Sequence, residues 1–186
     1  LPEPSRRFHP ARLRELLRLR AFSYANVPYR IRSFAEIVAD PKNTVVFDHA
    51  LAARIAERVR ETGADGRLVR DADDDVHLVN LTEKLLVPLL AKLGNLVVDG
   101  GIWLNTQRPE WNDANNALVG HGLSMVTLYY LRRYLRFLSE LLDGETGTVA
   151  LSAPVARWLE ETSDALAAIR PLLATATIGD EDRWQS

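Results

Sequence analysis

The 186-residue sequence contains no cysteine, so a disulfide framework, a thiolate metal site and a cysteine nucleophile are all excluded. That lack is compatible with a reducing compartment, and the chain is expected to be cytoplasmic. An excess of one charge is also missing. With 23 Lys+Arg against 25 Asp+Glu the formal net charge is -2, which supplies no basic field for a phosphate backbone, and nucleic acid is not expected as a partner. Long apolar runs are absent too. Lys84, Lys92, Arg132 and Arg136 interrupt the most hydrophobic stretches before they reach the roughly 18 to 20 residues that a spanning helix needs, so no membrane partner is expected.

Metal chemistry finds little support. The histidines His9, His49, His77 and His121 are scattered without ligand spacing. The acidic run Asp71-Ala72-Asp73-Asp74-Asp75 lacks the spaced glycine and terminal glutamate of a calcium loop, and reads as a solvated connection. Neither a metal nor a cofactor is expected. The opening Leu1-Pro2-Glu3-Pro4-Ser5 has no apolar signal-peptide core. It reads as an excised beginning, so a piece of a longer protein is expected, with the rest of the parent chain or another subunit as its partner.

What is present is ordinary globular composition, 47% hydrophobic and 26% charged, enough for one sizeable core and one domain over residues 1–186. The dominant signal is helical periodicity. Leu13, Leu16, Leu17 and Leu19 alternate with Arg12, Arg14, Arg18 and Arg20 in a first helix with a basic outer face, and Pro10 suits its first turn. Ser33 caps a short helix from Phe34 to about Val38, and Asp48 caps another from Ala50 to Thr62. Between them, Thr44 to Phe47 is β-branched and apolar but too short to decide between a strand and an extended entry. From Asn80 to Val98 the pattern returns to helical spacing, with Pro88 bending it. After Gly122, Leu128, Leu131, Leu135, Leu138 and Leu142 form one stripe, while Val126, Tyr130, Tyr134 and Phe137 cover a second face. A helix apolar on two faces is expected to be enclosed between others, with Tyr129, Tyr130 and Tyr134 as core or cavity wall. Ser152 and Pro154 open a last helix that runs to about Ala174, and the tail from Gly179 is expected to fray. The predicted fold class is therefore all-α, built from helical hairpins.

The segment from Gln107 to Asn116 breaks this pattern. Arg108, Glu110, Trp111, Asn112, Asp113 and Asn116 fall within nine positions of a loop that feeds the long helix. An indole offers an apolar platform with one N–H donor, suited to the face of a sugar ring. Carboxylates and amides exchange directed hydrogen bonds with hydroxyls. A carboxyl pressed against an apolar ring has its charged form disfavoured, so it can stay protonated as a general acid. An oligosaccharide substrate suits that set. The competing reading is that Asp113 or Asn112 merely caps the coming helix and Trp111 plugs the core.

Trp111-Asn112-Asp113, followed by Asn116, Val119-Gly120, Gly122 and Ser124 and then an apolar helix, resembles the aspartate motif of the cellobiose and chitobiose phosphorylases and related six-hairpin glycosidases. The resemblance covers about thirty residues. It implies an (α/α)6 toroid of which this chain supplies part, with Asp113 protonating the glycosidic oxygen and Trp111 contacting sugar. Glu110 stands where the family usually has another aspartate, and Ala114 where it has glycine. Arg108, Glu110, Asn112 and Asn116 complete the expected saccharide site. Inverting hydrolysis would need a second carboxylate about 6.5 to 9.5 Å from the first, whereas phosphorolysis would use phosphate as nucleophile. Asp99 and Glu145 are candidates for that carboxylate by position alone. The alternative function is a non-catalytic helical interaction or structural domain.

Overall fold

Residues 9–105, 117–174 and 177–185 are described by a computed structural model. Helix α1 (Pro10–Arg18) begins with proline in its first turn and ends earlier than the leucine pattern. Strand β1 (Tyr29–Ile31) follows, then α2 (Phe34–Ala39), which opens on a full capping box. The Ser33 hydroxyl accepts from the Glu36 amide, and the Glu36 carboxylate accepts from the Ser33 amide at 2.9 Å. Strand β2 (Val45–Phe47) pairs antiparallel with β1, Tyr29 opposite Phe47. Asp48 accepts from the Leu51 amide at 2.8 Å and caps α3 (His49–Thr62), which ends at Gly63 with φ +73°.

The predicted long helix over residues 80–98 is cut short. Helix α4 (Leu81–Leu93) stops at Gly94, and β3 (Leu96–Val97), β4 (Gly101–Trp103) and β5 (Leu123–Ser124) form an antiparallel sheet in that order. The stop is enforced from both sides: the Asn95 amide group donates back to the Ala91 carbonyl at 2.8 Å, while the Asn95 carbonyl accepts from the Trp103 amide at 2.8 Å. Helices α5 (Met125–Leu142) and α6 (Ala153–Ile169) complete the main body. A short α7 (Asp180–Gln185) takes up the tail that was expected to fray, with Arg183 on Asp180 at 2.7 Å and on Asp99 at 3.2 Å.

The all-α expectation is thereby corrected. The described residues are 57% helical and 12% extended, with two small antiparallel sheets, and a three-stranded sheet stands between α4 and α5 where only a long loop was expected to join two helices. Strands of two or three residues pair only because the tertiary fold brings them together, and they carry no period of their own.

The core lies among α4, β4 and α5. Leu89, Ile102, Leu131 and Leu138 are buried together, with Leu85, Leu86, Leu128, Tyr134 and Phe137 packed around them. Helix α5 is not enclosed on two faces. Only Leu131 and Leu138 are buried, whereas Val126, Tyr129 and Tyr130 are 65%, 60% and 57% exposed. Tyr134 alone of the three tyrosines faces inward, its hydroxyl donating to the Leu85 carbonyl at 2.9 Å, and burial raises its pKa. In α6 only Val155 is buried, and Trp158, Leu159, Leu166 and Ile169 are half-covered.

A buried polar knot fixes the N-terminus of α4. Asn80, Thr82 and Glu83 are all buried, and together they reach α1 and the segment that leads into α6. Asn80 accepts from the Glu83 amide at 2.9 Å and donates to the Ala150 carbonyl at 2.6 Å. The Thr82 hydroxyl donates to the Leu17 carbonyl at 2.8 Å, tying α1. The Glu83 carboxylate accepts from both the amide and the hydroxyl of Ser152, at 2.7 and 2.8 Å.

Candidate functional site

The predicted site residues Arg108, Glu110, Trp111, Asn112, Asp113 and Asn116 lie outside the described residues. The feet between which they hang are described. Strand β4 leads out through Trp103 and Leu104, and the chain returns through Val119, Gly120 and Gly122 into β5. The Leu104 amide donates to the Gly122 carbonyl at 3.0 Å, and the Gly120 amide donates to the Leu104 carbonyl at 2.7 Å. These two bonds extend the β4–β5 pairing, in which Trp103 stands opposite Leu123, and close the segment at its base. Val119 is wholly buried and anchors the returning foot.

Two glycines make this closure possible. Gly120 has φ +78°, and a Cβ there would sit 2.3 Å from the Pro41 Cβ. A Cβ on Gly122 would meet the Leu118 Cβ at 2.6 Å. His121 between them is exposed, its amide donating to the Leu118 carbonyl at 3.0 Å, so it rides on the foot rather than packing beside the glycines.

Helix α2 lies across both feet. At its start Phe34 meets Trp103 on the outgoing strand edge to face, ring centroids 5.5 Å apart at 69°. Just past its end Pro41 presses on Gly120 of the returning strand. Ile102 faces the core at 1% exposure, so strand alternation sends Trp103 to the opposite face of the sheet, toward α2. Sequence reasoning missed Phe34 and Trp103 as neighbours of the segment, since they stand far apart along the chain and periodicity carries no such information. Asp40 joins α2 to Pro41, which puts a carboxylate-bearing residue beside the returning foot.

The expected cap is elsewhere. The residue that caps α5 is Ser124, whose hydroxyl oxygen accepts from the Thr127 amide at 3.1 Å. The two carboxylates suggested by position also stand apart from the feet. Glu145 follows the far end of α5, an 18-residue helix and hence about 27 Å long, where it binds Arg14 at 2.9 Å and Arg18 at 3.2 Å. Asp99, at φ +54°, sits in the turn before β4, the end of that strand remote from the loop, and pairs with Arg183.

Other polar or concave regions do not compete as reaction sites. Ser152 and Glu83 have the composition of a nucleophile and its base. The adjoining cavity is only about 80 Å³, and the carboxylate is already occupied by the Ser152 amide, so the pair joins helices instead of admitting a substrate. Tyr24 Oη is buried beside this carboxylate, short of hydrogen-bond geometry with any partner. Burial first, then the Glu83 charge, pushes its pKa from 10.0 up to about 12. A second cavity, about 520 Å³ between Leu96, Val98, Leu166 and Leu173, is an apolar groove with Asp99 and Arg170 at its edge. It lies by the turn before β4, away from the loop's feet, and offers one carboxylate already paired.

In the acidic run, Asp71 accepts from the Asp73 and Asp75 amides at 3.0 and 3.1 Å, closing a turn as expected of a solvated connection. Among the described residues no cluster of side chains could hold a metal ion, and no helix is long and apolar enough to cross a membrane. No known family model matches the chain and no curated protein matches it significantly, which leaves the loop's chemistry and the geometry of its feet as the ground for a functional reading.

Proposed function

We propose that this chain belongs to a glycoside-active protein that cleaves an oligosaccharide by hydrolysis or phosphorolysis. Asp113 is its general acid, and Trp111, Asn112, Arg108, Glu110 and Asn116 are its saccharide contacts. The carboxyl proton passes to the glycosidic oxygen as its bond to the anomeric carbon breaks, and water or phosphate supplies the new oxygen at that carbon. The observation that carries this reading is the Trp111-Asn112-Asp113 sequence, with its flanking carboxylate, amides and guanidinium, in the segment between β4 and β5. Backbone hydrogen bonds join the chain where it enters and leaves this segment, and α5 has its own cap in Ser124. The cysteine-free composition accords with a cytoplasmic setting.

The test is turnover of a panel of disaccharides and short oligosaccharides by the full-length protein, with and without inorganic phosphate. Asp113→Asn should lower kcat by about 10²- to 10⁴-fold with little change in KM. Turnover indifferent to that change on every active glycoside sinks the general-acid assignment.

A second reading, a non-catalytic interaction domain, is favoured by one feature. Val126, Tyr129 and Tyr130 present an uncovered apolar face on α5, of the kind that marks contact with further protein. Pull-down of the same partner by wild type and Asp113→Asn, together with no glycoside turnover, would select it.

A further inference from the structure

We propose that the outer edge of β1 is a docking site for an extended, acidic segment of a partner protein, which adds as a further antiparallel strand with a carboxylate opposite Arg30. This surface does not depend on the glycoside reading.

The hydrogen bonds of the β1–β2 ribbon fix which way each residue of β1 points. The Arg32 amide donates to the Thr44 carbonyl at 2.9 Å and the Asp48 amide to the Pro28 carbonyl at 2.7 Å, with Arg30 opposite Val46 between them. Antiparallel strands bond at alternate residues, so the backbone N–H and C=O of Tyr29 and Ile31 point away from β2. Among the described residues nothing bonds to these groups. Of the ribbon's outer edges this is the uncovered one. All of β1 is exposed, whereas Val45 and Val46 of β2 are half-buried and Thr44 beside them is buried. Pro28, whose carbonyl faces β2, withholds a donor from the ladder and not from the open edge.

The side chains define the segment that fits. Register and strand alternation put Tyr29, Ile31, Val45 and Phe47 on one face of the ribbon and Arg30 on the other. Tyr29, Ile31 and Phe47 are 41%, 45% and 49% exposed, Phe47 even with the His49 ring against it at 4.8 Å. Arg32 is held by Glu36 at 3.2 Å, but no carboxylate among the described residues pairs with Arg30. On an added strand the residue opposite Arg30 makes a non-hydrogen-bonded pair, in which Cα atoms approach to about 4.5 Å and side chains come closest. An acidic residue is favoured there and a basic one repelled. Its two neighbours stand opposite Tyr29 and Ile31, on the apolar face, so the fitting segment runs apolar, acidic, apolar. A second copy of this chain is a poorer occupant, because twofold pairing of β1 with itself about Arg30 sets guanidinium against guanidinium. In strand addition the main-chain bonds supply affinity and the alternate side chains supply specificity.

Fluorescence anisotropy of a labelled Ser-Thr-Val-Glu-Val-Thr-Ser peptide with the full-length protein tests this, beside the same peptide carrying Lys in place of Glu. The Glu peptide is expected to bind about three- to tenfold more tightly than the Lys peptide, and Arg30→Glu should reverse that order. Ile31→Pro removes only the outward N–H, a change that an edge strand tolerates, so it should weaken the Glu peptide by at least about threefold while circular dichroism stays unchanged. If Ile31→Pro unfolds, the reversal by Arg30→Glu decides the matter. Equal binding of the two peptides, an order that Arg30→Glu leaves as it was, or no binding of the Glu peptide at about 1 mM overturns the proposal. So does a folded Ile31→Pro that binds like the wild type. A dimer that Ile31→Pro dissociates would give the edge to a second copy and overturn it as well.

Discussion

Removing the Glu83 carboxylate should cost far more than removing any surface charge of this chain. Its oxygens take two short bonds from Ser152, at 2.7 and 2.8 Å, at 1% exposure, and they sit where the N-termini of α4 and α6 converge. Hydrogen bonds to a charged group contribute about 1.5 to 3 kcal/mol each, and helix N-termini favour negative charge. Glu83→Ala forfeits both bonds and leaves the half-buried Ser152 amide without its carboxylate partner, so a loss of about 3 to 5 kcal/mol is expected. That is a large share of the roughly 5 to 15 kcal/mol by which domains are stable. Glu83→Gln should cost less, about 1 to 1.5 kcal/mol, since its oxygen can still accept from the amide and its nitrogen can donate to the Ser152 hydroxyl. Urea unfolding followed by far-ultraviolet circular dichroism at neutral pH measures both. The exposed Arg136–Glu140 pair, 2.9 Å long on the surface of α5, is the internal control and should contribute no more than about 0.5 kcal/mol. If Glu83→Ala costs as little as Glu140→Ala, the carboxylate is not the joint between α4 and α6.

Tyr24 should make stability fall in alkali. Its folded pKa of about 12 stands above the ordinary 10.0, so the folded state holds the proton longer; the contribution is complete below pH 10 and is lost as pH rises to 12. Tyr24→Phe should flatten the decline of the urea midpoint across that window, and an unchanged slope would contradict the assignment. Gly120→Ala should destabilise by about 2 kcal/mol or more, from left-handed strain plus the clash with Pro41, whereas Gly144→Ala, at φ +74° in open space, should show strain alone at about 1 kcal/mol. Equal shifts in melting temperature for the two variants would mean that Pro41 yields freely.

How much of this was legible in the sequence depends on the range of the interaction responsible. Ser33 and Asp48 were readable as caps because a cap bonds within three residues, and both do so here. Ser152 was readable as a helix start, yet its hydroxyl serves Glu83 rather than its own helix, a contact across 69 residues that no local pattern records. The same blindness hid Glu83 itself, which looks like any acidic residue in a first helical turn. The leucines of 81–97 predicted one long helix, because Leu96 and Val97 continue the helical stripe; what removes them is pairing with Gly101 and Ile102. Apolar faces on α5 were visible, but which one finds a partner was not, since Leu131 and Val126 are equally hydrophobic letters. Of the candidate site, the glycines at the returning foot carried the signal, whereas Phe34 and Trp103 meet only after folding.

The closure of the loop between Leu104 and Gly120 also has an evolutionary side. The bonds that fasten its feet are backbone to backbone, and the residues that brace them from outside, Pro41 and Phe34, belong to a distant part of the chain. The donors and acceptors of this fastening are main-chain atoms of Leu104, Gly120 and Gly122. Lengthening such a segment twofold adds only about 0.6 kcal/mol of closure cost. Changes of length between the feet can thus be sampled at little closure cost, so ligand preference could diversify here while the helices on either side stay as they are.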